Sequence, residues 1–255
     1  MTKTEQHVDE VGELIASLLV TPATRLTSCR GWTAHELVAH LAAGAAEEAD
    51  LIEAHVAGTP RLTRGFEERE LPFRQMPDAE LRDRLVEEAA RLGAAMEVLS
   101  ARGDDRVLFT GRPMTALEFA MHSRSECALH RWDLVGRDDV AWEMLAQPAL
   151  TRHALTVLTS MSTLPEAPAN RLAALTGRPQ LDVVIRSEPE DDVVMTVGPD
   201  TLRLTMRPID GTPPGVELDA AARLLLLWGR REPSAPIDVY ATGAAAVVLE
   251  SMFGW

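Results

Sequence analysis

The chain has 255 residues, 46% of them hydrophobic and only 4% aromatic, which is enough for one large domain or two modest ones, each with its own core. A net charge of −14 and an isoelectric point near 4.9 exclude nonspecific attraction to nucleic acid, and no apolar run approaches the length that spans a bilayer. Two cysteines about a hundred residues apart, Cys29 and Cys127, exclude a disulfide framework, and the N-terminus has no secretory pattern, so a cytoplasmic protein with reduced thiols is expected.

Residues 4–20 carry Val8, Val11, Leu14, Ile15, Leu18 and Leu19 at helical spacing, and Pro22 ends this first helix. Thr33 with Glu36 three residues on forms a capping box that opens a second, long helix running to about His55, stopped by Gly58 and Pro60. The stretch 58–77 lacks clear periodicity and reads as a long connection or lid. After Pro77, DAELRDRLVEEAARLGAAMEVL predicts a third helix, and TALEFAMHSRSECALHRWDLVG a fourth that closes at Gly136. Four such helices predict an up-and-down bundle. A further helix over Trp142–Met161 leads to a linker, LPEAPANRLAALTGRP. Beyond it, LDVVIR, DVVMTVG and TLRLTMR predict a small antiparallel sheet, Asp219 caps a helix over AAARLLLLWGR, and AAAVVLESMF forms a last one. The reading is α+β, with a helical domain at 1–163 and a smaller α/β domain at 164–255.

Glu126 and His130 stand four apart and so project from one side of the fourth helix. A second helix bringing the imidazole of His40 would complete three metal ligands. Three protein ligands leave one coordination position open to water or substrate. Spacing alone does not discriminate, because Glu36 with His40 and Glu118 with His122 repeat it, and solvated or intrahelical pairs are the commoner outcome. His122, one turn before Glu126, is the rival third ligand. Leu117, Met121, Ala128, Trp132 and Val135 form an apolar stripe opposite Glu126 and His130, while Phe119 projects with Glu126. A helix apolar on two sides belongs inside a bundle, where Glu126 needs a partner or a metal. His40 shares its face with Leu37, Gly44 and Leu51; Gly44 either leaves space for a small molecule or allows close helix packing. His7, His35, His55 and His153 read as surface or packing residues, Arg124 and Arg131 as salt-bridge partners, and Cys127 as a small buried side chain. No phosphate loop, nucleophile elbow or cysteine nucleophile is present.

The combination of WTAHELVAHLAAG, SECALHRWDLVG and LLLLWGRRE, in this order, resembles the mycothiol-dependent maleylpyruvate isomerase family of DinB-like metalloproteins. The resemblance implies a DinB-like four-helix bundle followed by a sterol-carrier-like α/β domain. It also implies a divalent metal, zinc foremost, on His40, Glu126 and His130, with mycothiol as cofactor. Nickel, cobalt or iron suit the same ligands. Within Trp228-Gly229-Arg230 it implies that Arg230 contacts an anionic substrate, with Arg231 the neighbour that could serve instead. The expected activity is cis-trans isomerisation or thiol transfer to a small electrophile by a metal-activated thiol. The opposing reading is a non-catalytic small-ligand-binding metalloprotein. The superfamily admits a homodimer.

Overall fold

The computed structural model describes residues 9–160, 181–198, 201–230 and 243–253. It is a mixed helical and sheet protein in two compact units, Met1–Ala141 and Trp142–Trp255. No helix among the described residues is long and apolar enough to cross a membrane.

The first unit is built on α1 (Glu10–Val20), α2 (Ala34–Val56), α3 (Phe66–Arg74), α4 (Asp78–Ser100), a hairpin of β1 (Val107–Phe109) and β2 (Arg112–Met114), and α5 (Ala116–Val135). α2 begins at the expected capping box, the Thr33 hydroxyl accepting from Glu36 N and the Glu36 carboxylate accepting from Thr33 N. Its alanines Ala34, Ala39, Ala42 and Ala43 are essentially inaccessible, so small side chains let neighbouring helices approach α2 closely. Leu14 and Leu18 of α1, Leu37, Val38 and Leu41 of α2, Leu81 and Leu85 of α4 and Leu134 of α5 form one core. Arg124 pairs with Glu10 at 2.8 Å and Arg131 with Asp138 at 2.8 Å, the salt-bridge roles expected of them.

Two elements correct the reading from sequence. The stretch 58–77 contains α3, which carries Pro72 and has no apolar period because polar contacts, described below, hold it to α2. Ahead of α5, Thr110 and Gly111 both take positive φ (47° and 86°), as a two-residue hairpin turn of the primed type requires, and join β1 to β2.

In the second unit, the single helix expected over Trp142–Met161 is broken. α6 (Asp139–Leu145), which spans the divide between the units, stops before Pro148, and α7 (Pro148–Ser160) restarts with that proline in its first turn. α7 packs on sheet and helix of the second unit, whereas the sequence reading placed it with the bundle; its expected linker lies outside the described residues. The three expected strands, β3 (Leu181–Arg186), β4 (Asp192–Gly198) and β5 (Thr201–Arg207), are antiparallel neighbours. β6 (Val216–Glu217), too short to read from sequence, adds parallel to β3 and gives the order β5-β4-β3-β6. α8 (Ala220–Leu227) is capped by Asp219, and α9 (Gly243–Phe253) follows. A Cβ at Gly215 would lie 3.0 Å from Ala245 and 3.1 Å from Val183, so glycine is what lets α9 close on the sheet there.

Candidate metal centre

α2 and α5 face each other along a seam. On α2, His40, Gly44 and Glu48 follow at four-residue steps on one face; on α5, His122, Glu126 and His130 do the same. The pairing is antiparallel: His40 meets Glu126 and His130 at one end, and Glu48 meets His122 at the other.

At the first end, Glu126 Oε2 lies 3.6 Å from His40 Nε2 and 3.3 Å from His130 Nε2. The two imidazoles stand edge to face, 5.1 Å apart. Both rings are held from behind. His40 Nδ1 is 2.8 Å from Glu70 Oε1 on α3, and Glu70 is buried and bonded by Arg74 at 2.5 Å. Burial raises the Glu70 carboxyl, but the bond to His40 and the charges around it win and keep it below the ordinary range. An ionised carboxylate only accepts, so His40 Nδ1 carries the hydrogen and Nε2 turns its lone pair toward Glu126. His130 Nδ1 lies 2.9 Å from buried Asp133 Oδ2, off the line of a straight hydrogen bond. Asp133 is fixed in turn by the loop before α2: its carbonyl accepts from Ser28 N at 2.7 Å, and its carboxylate accepts from Cys29 Sγ at 3.2 Å. Trp32 from the same loop packs against His40 and stacks on His130, and Phe66 of α3 stacks on His40 as well.

The consequence is three acceptors, two ring nitrogens and a carboxylate oxygen, directed at one point that calls for positive charge. Burial opposes a proton on His130, but Asp133, Cys29 and Glu126 outweigh it and raise the imidazole well above its ordinary value. Burial likewise raises the Glu126 carboxyl, and the neighbouring imidazoles of His130, His40 and His122 override it and hold it well below the carboxylate range. A divalent cation would meet the same need. Two imidazoles and a carboxylate, each imidazole backed by a second carboxylate, are a donor set suited to zinc. Among the described residues, the groups that bring three such ligand atoms within 4.8 Å of one another are His40–Glu126–His130 and Cys29–His130–Asp133, which share His130 through its opposite edges.

His122 stands outside both groups. It lies 3.9 Å from Glu48 with its ring against Phe109 at 5.5 Å, and burial pulls its pKa down. The other two Glu and His pairs are not pairs at all. Glu36 and Glu118 close the capping boxes of α2 and α5, and Glu118 also binds Arg112. At Gly44 a Cβ would meet no heavy atom within 4 Å, so open space, not close packing, lies beside it. Cys127 is pushed up to about 12 by burial and by Glu126, which suits an inert thiol.

Arg230 lies in the second unit. Gly229 takes φ 69°, Gly229 N donates to Leu226 O and Arg230 N to Leu225 O, so Trp228-Gly229-Arg230 is the turn that ends α8. The Arg230 side chain is half-buried and reaches the Trp228 carbonyl at 3.5 Å; Arg231 lies outside the described residues. Sequence reasoning missed Glu70, Asp133 and Phe66. Asp133 is three residues after His130 in HRWD and was legible there, whereas nothing local marks Glu70 as the partner of a histidine thirty residues away.

Comparison with known proteins places the chain in a family. No curated protein sequence matches the chain. Crystal structures of the mycothiol-dependent maleylpyruvate isomerase and of its histidine-to-alanine mutant share the fold, each at 18% identity and a TM-score of 0.61, covering 93% of this chain and 89% of that one. The model of the mycothiol maleylpyruvate isomerase N-terminal domain matches residues 5–135, just over half of the chain. The chain therefore belongs to the mycothiol maleylpyruvate isomerase N-terminal domain family.

Proposed function

We propose that this protein is a metal- and thiol-dependent enzyme in which His40, Glu126 and His130 hold one divalent ion, with zinc the best match to the donors. The observation that carries this reading is the convergence of three acceptors with each imidazole anchored at Nδ1 by a buried carboxylate. When bound, the ion supplies the positive charge that favours the thiolate form of a low-molecular-weight thiol near neutral pH. The chain's own residues do the rest. Glu70 accepts from His40 Nδ1 and the Asp133 carboxylate lies beside His130 Nδ1, an arrangement that favours Nε2 of each ring facing inward, and Trp32 and Phe66 wall His40 with apolar surface that keeps bulk water from that side.

The family and the related crystal structures support mycothiol as the thiol and an isomerase reaction. Thiolate addition to a cis double bond leaves a rotatable single bond, and elimination after rotation restores the double bond as trans and releases the thiol unchanged. Thiol transfer would stop after the first addition. Arg230 is the proposed clamp for a substrate carboxylate. The test is turnover of maleylpyruvate with and without mycothiol, by wild type and by Glu126→Ala. Thiol-dependent isomerisation lost in the variant supports the reading. Tight ligand binding without turnover, indifferent to metal removal, would instead make this a binding protein.

A further inference from the structure

The edge of His130 turned away from the triad faces a second set of ligand atoms. Asp133 Oδ2 lies 2.9 Å from His130 Nδ1 and 3.2 Å from Cys29 Sγ, and one ligand atom from each of the three residues falls within 4.8 Å of the others. A tetrahedral ion with metal–ligand lengths of about 2.0–2.3 Å spaces its nitrogen, oxygen and sulfur ligands about 3.3–3.5 Å apart, so the cluster already has nearly the size of a coordination sphere. His130 is 5% exposed, yet its Nδ1 makes no well-aligned hydrogen bond. A buried ring nitrogen in that state is destabilising until a ligand satisfies it.

Cys29 reaches the cluster from a closed turn. Thr27 N donates to Trp32 O at 2.9 Å, Trp32 N to Cys29 O at 3.0 Å and Cys29 N to Thr27 Oγ1 at 3.2 Å, so the backbone that carries the sulfur is fixed. Cys29 is partly exposed, whereas Asp133 and His130 are buried, and a cation therefore enters from the thiol side. The triad offers two nitrogens and an oxygen; this cluster offers nitrogen, oxygen and sulfur. Sulfur is the ligand that selects soft cations.

We propose that Cys29, Asp133 and His130 Nδ1 form a second cation site, for a thiophilic ion softer than zinc, and that filling it empties the triad. Coordination releases the Cys29 thiol proton to solvent. A neutral imidazole has one lone-pair nitrogen, so a cation on Nδ1 leaves the ring hydrogen on Nε2. There it faces Glu126 Oε2, 3.3 Å away, and His130 is withdrawn from the triad. The site stands on its own geometry, while the exclusion rests on the triad being the metal centre. Soft cations then inhibit by taking the opposite edge of a shared histidine.

The experiment is titration of Cd2+ into zinc-loaded protein, followed by the ultraviolet thiolate-to-cadmium absorption band and by zinc release, with melting curves to check folding. Wild type should show the band and release about one zinc for each cadmium bound. Glu126→Ala, which lacks a triad ligand only, should keep the band, and Cys127→Ala should keep it as well. Cys29→Ser preserves a hydroxyl for Asp133; it should lose the band and bind Cd2+ about 100-fold more weakly. Cys29→Ala should do the same and repeats the test should the serine variant not fold. No band in wild type, a band that survives in both Cys29 variants, or one lost in Glu126→Ala would overturn the site. A band that appears while zinc stays bound would overturn the exclusion at His130. A failure of the triad reading is seen separately, as absence of zinc from the wild type before any cadmium is added.

Discussion

The two ends of the seam between α2 and α5 are built from the same residue types and satisfied in opposite ways. At the end with His40, Glu126 and His130, buried Glu70 and Asp133 stand behind the two imidazoles, and two aromatic rings fix the His40 plane. At the end with Glu48 and His122, Glu48 Oε2 is buried without a hydrogen-bond partner, and a Cβ on Gly44, between the two ends, would meet no heavy atom within 4 Å. The difference is between a cluster whose side chains already converge on one point, as the proposed cation requires, and a region left with a buried oxygen lacking a partner and open space beside it.

The largest effects should separate the two ends. His40→Ala, Glu126→Ala and His130→Ala each remove a proposed ligand and should weaken metal binding by more than about 100-fold, beyond the range typical of outer partners. His122→Ala, from the other end, should leave metal content nearly unchanged. A greater loss from His122→Ala would move the ligand set by one turn of α5.

Glu70→Gln and Asp133→Asn keep size but remove the charge behind each imidazole, and should weaken metal binding by about 10–100-fold in chelator competition. Equal metal affinity in these variants would mean that the rings are oriented by packing alone. Gly44→Leu should fill the open space and lower isomerase turnover by about tenfold while metal content persists. Gly44→Ala should leave metal binding intact and raise stability by up to ~1 kcal/mol in urea melts, through helix propensity. A loss of stability there would show that the space is filled by packing.

The smallest effects concern the caps, away from the seam. Thr33→Ala or Thr115→Ala should cost about 1 kcal/mol of stability with no change at the metal site. The Glu36 carboxyl is lowered chiefly by its bonds to Thr33; Glu118 is raised by burial but lowered more by Thr115 and Arg112. A depressed native value means that these contributions are fully present above the ordinary glutamate range and are lost as pH falls through the depressed values. Urea melts at neutral and acid pH should therefore show the wild type losing the advantage it holds over Thr33→Ala at neutral pH.

The ladder of Glu and His pairs explains how much of the site was legible. Three such pairs occur in the sequence, and two of the glutamates sit at the third position of a capping box, where the backbone takes their carboxylates. The box at Thr33 was read, but the same pattern at Thr115 was not, although recognising it would have set Glu118 aside. Glu126 remains because it lies mid-helix, away from any helix terminus. The apolar stripe on α5 was only partly right: Ala128 and Trp132 are buried, but Leu117 is 77% exposed because the first turn extends past the core. α3 was invisible for a physical reason. Its buried face is made of Arg69 and Glu70, so no apolar period exists to detect, and its role arises only when Glu70 meets His40. The fold of the second unit was legible through its valine-rich strands, whereas β6 depends on pairing with β3 and has no local signature.

The most direct test of the account is metal content by plasma mass spectrometry, for wild type beside Glu126→Ala, after dialysis against a weak chelator. The account predicts about one equivalent of divalent metal per chain in the wild type and little in the variant. Equal metal in both, or none in either after metal is supplied, would contradict it.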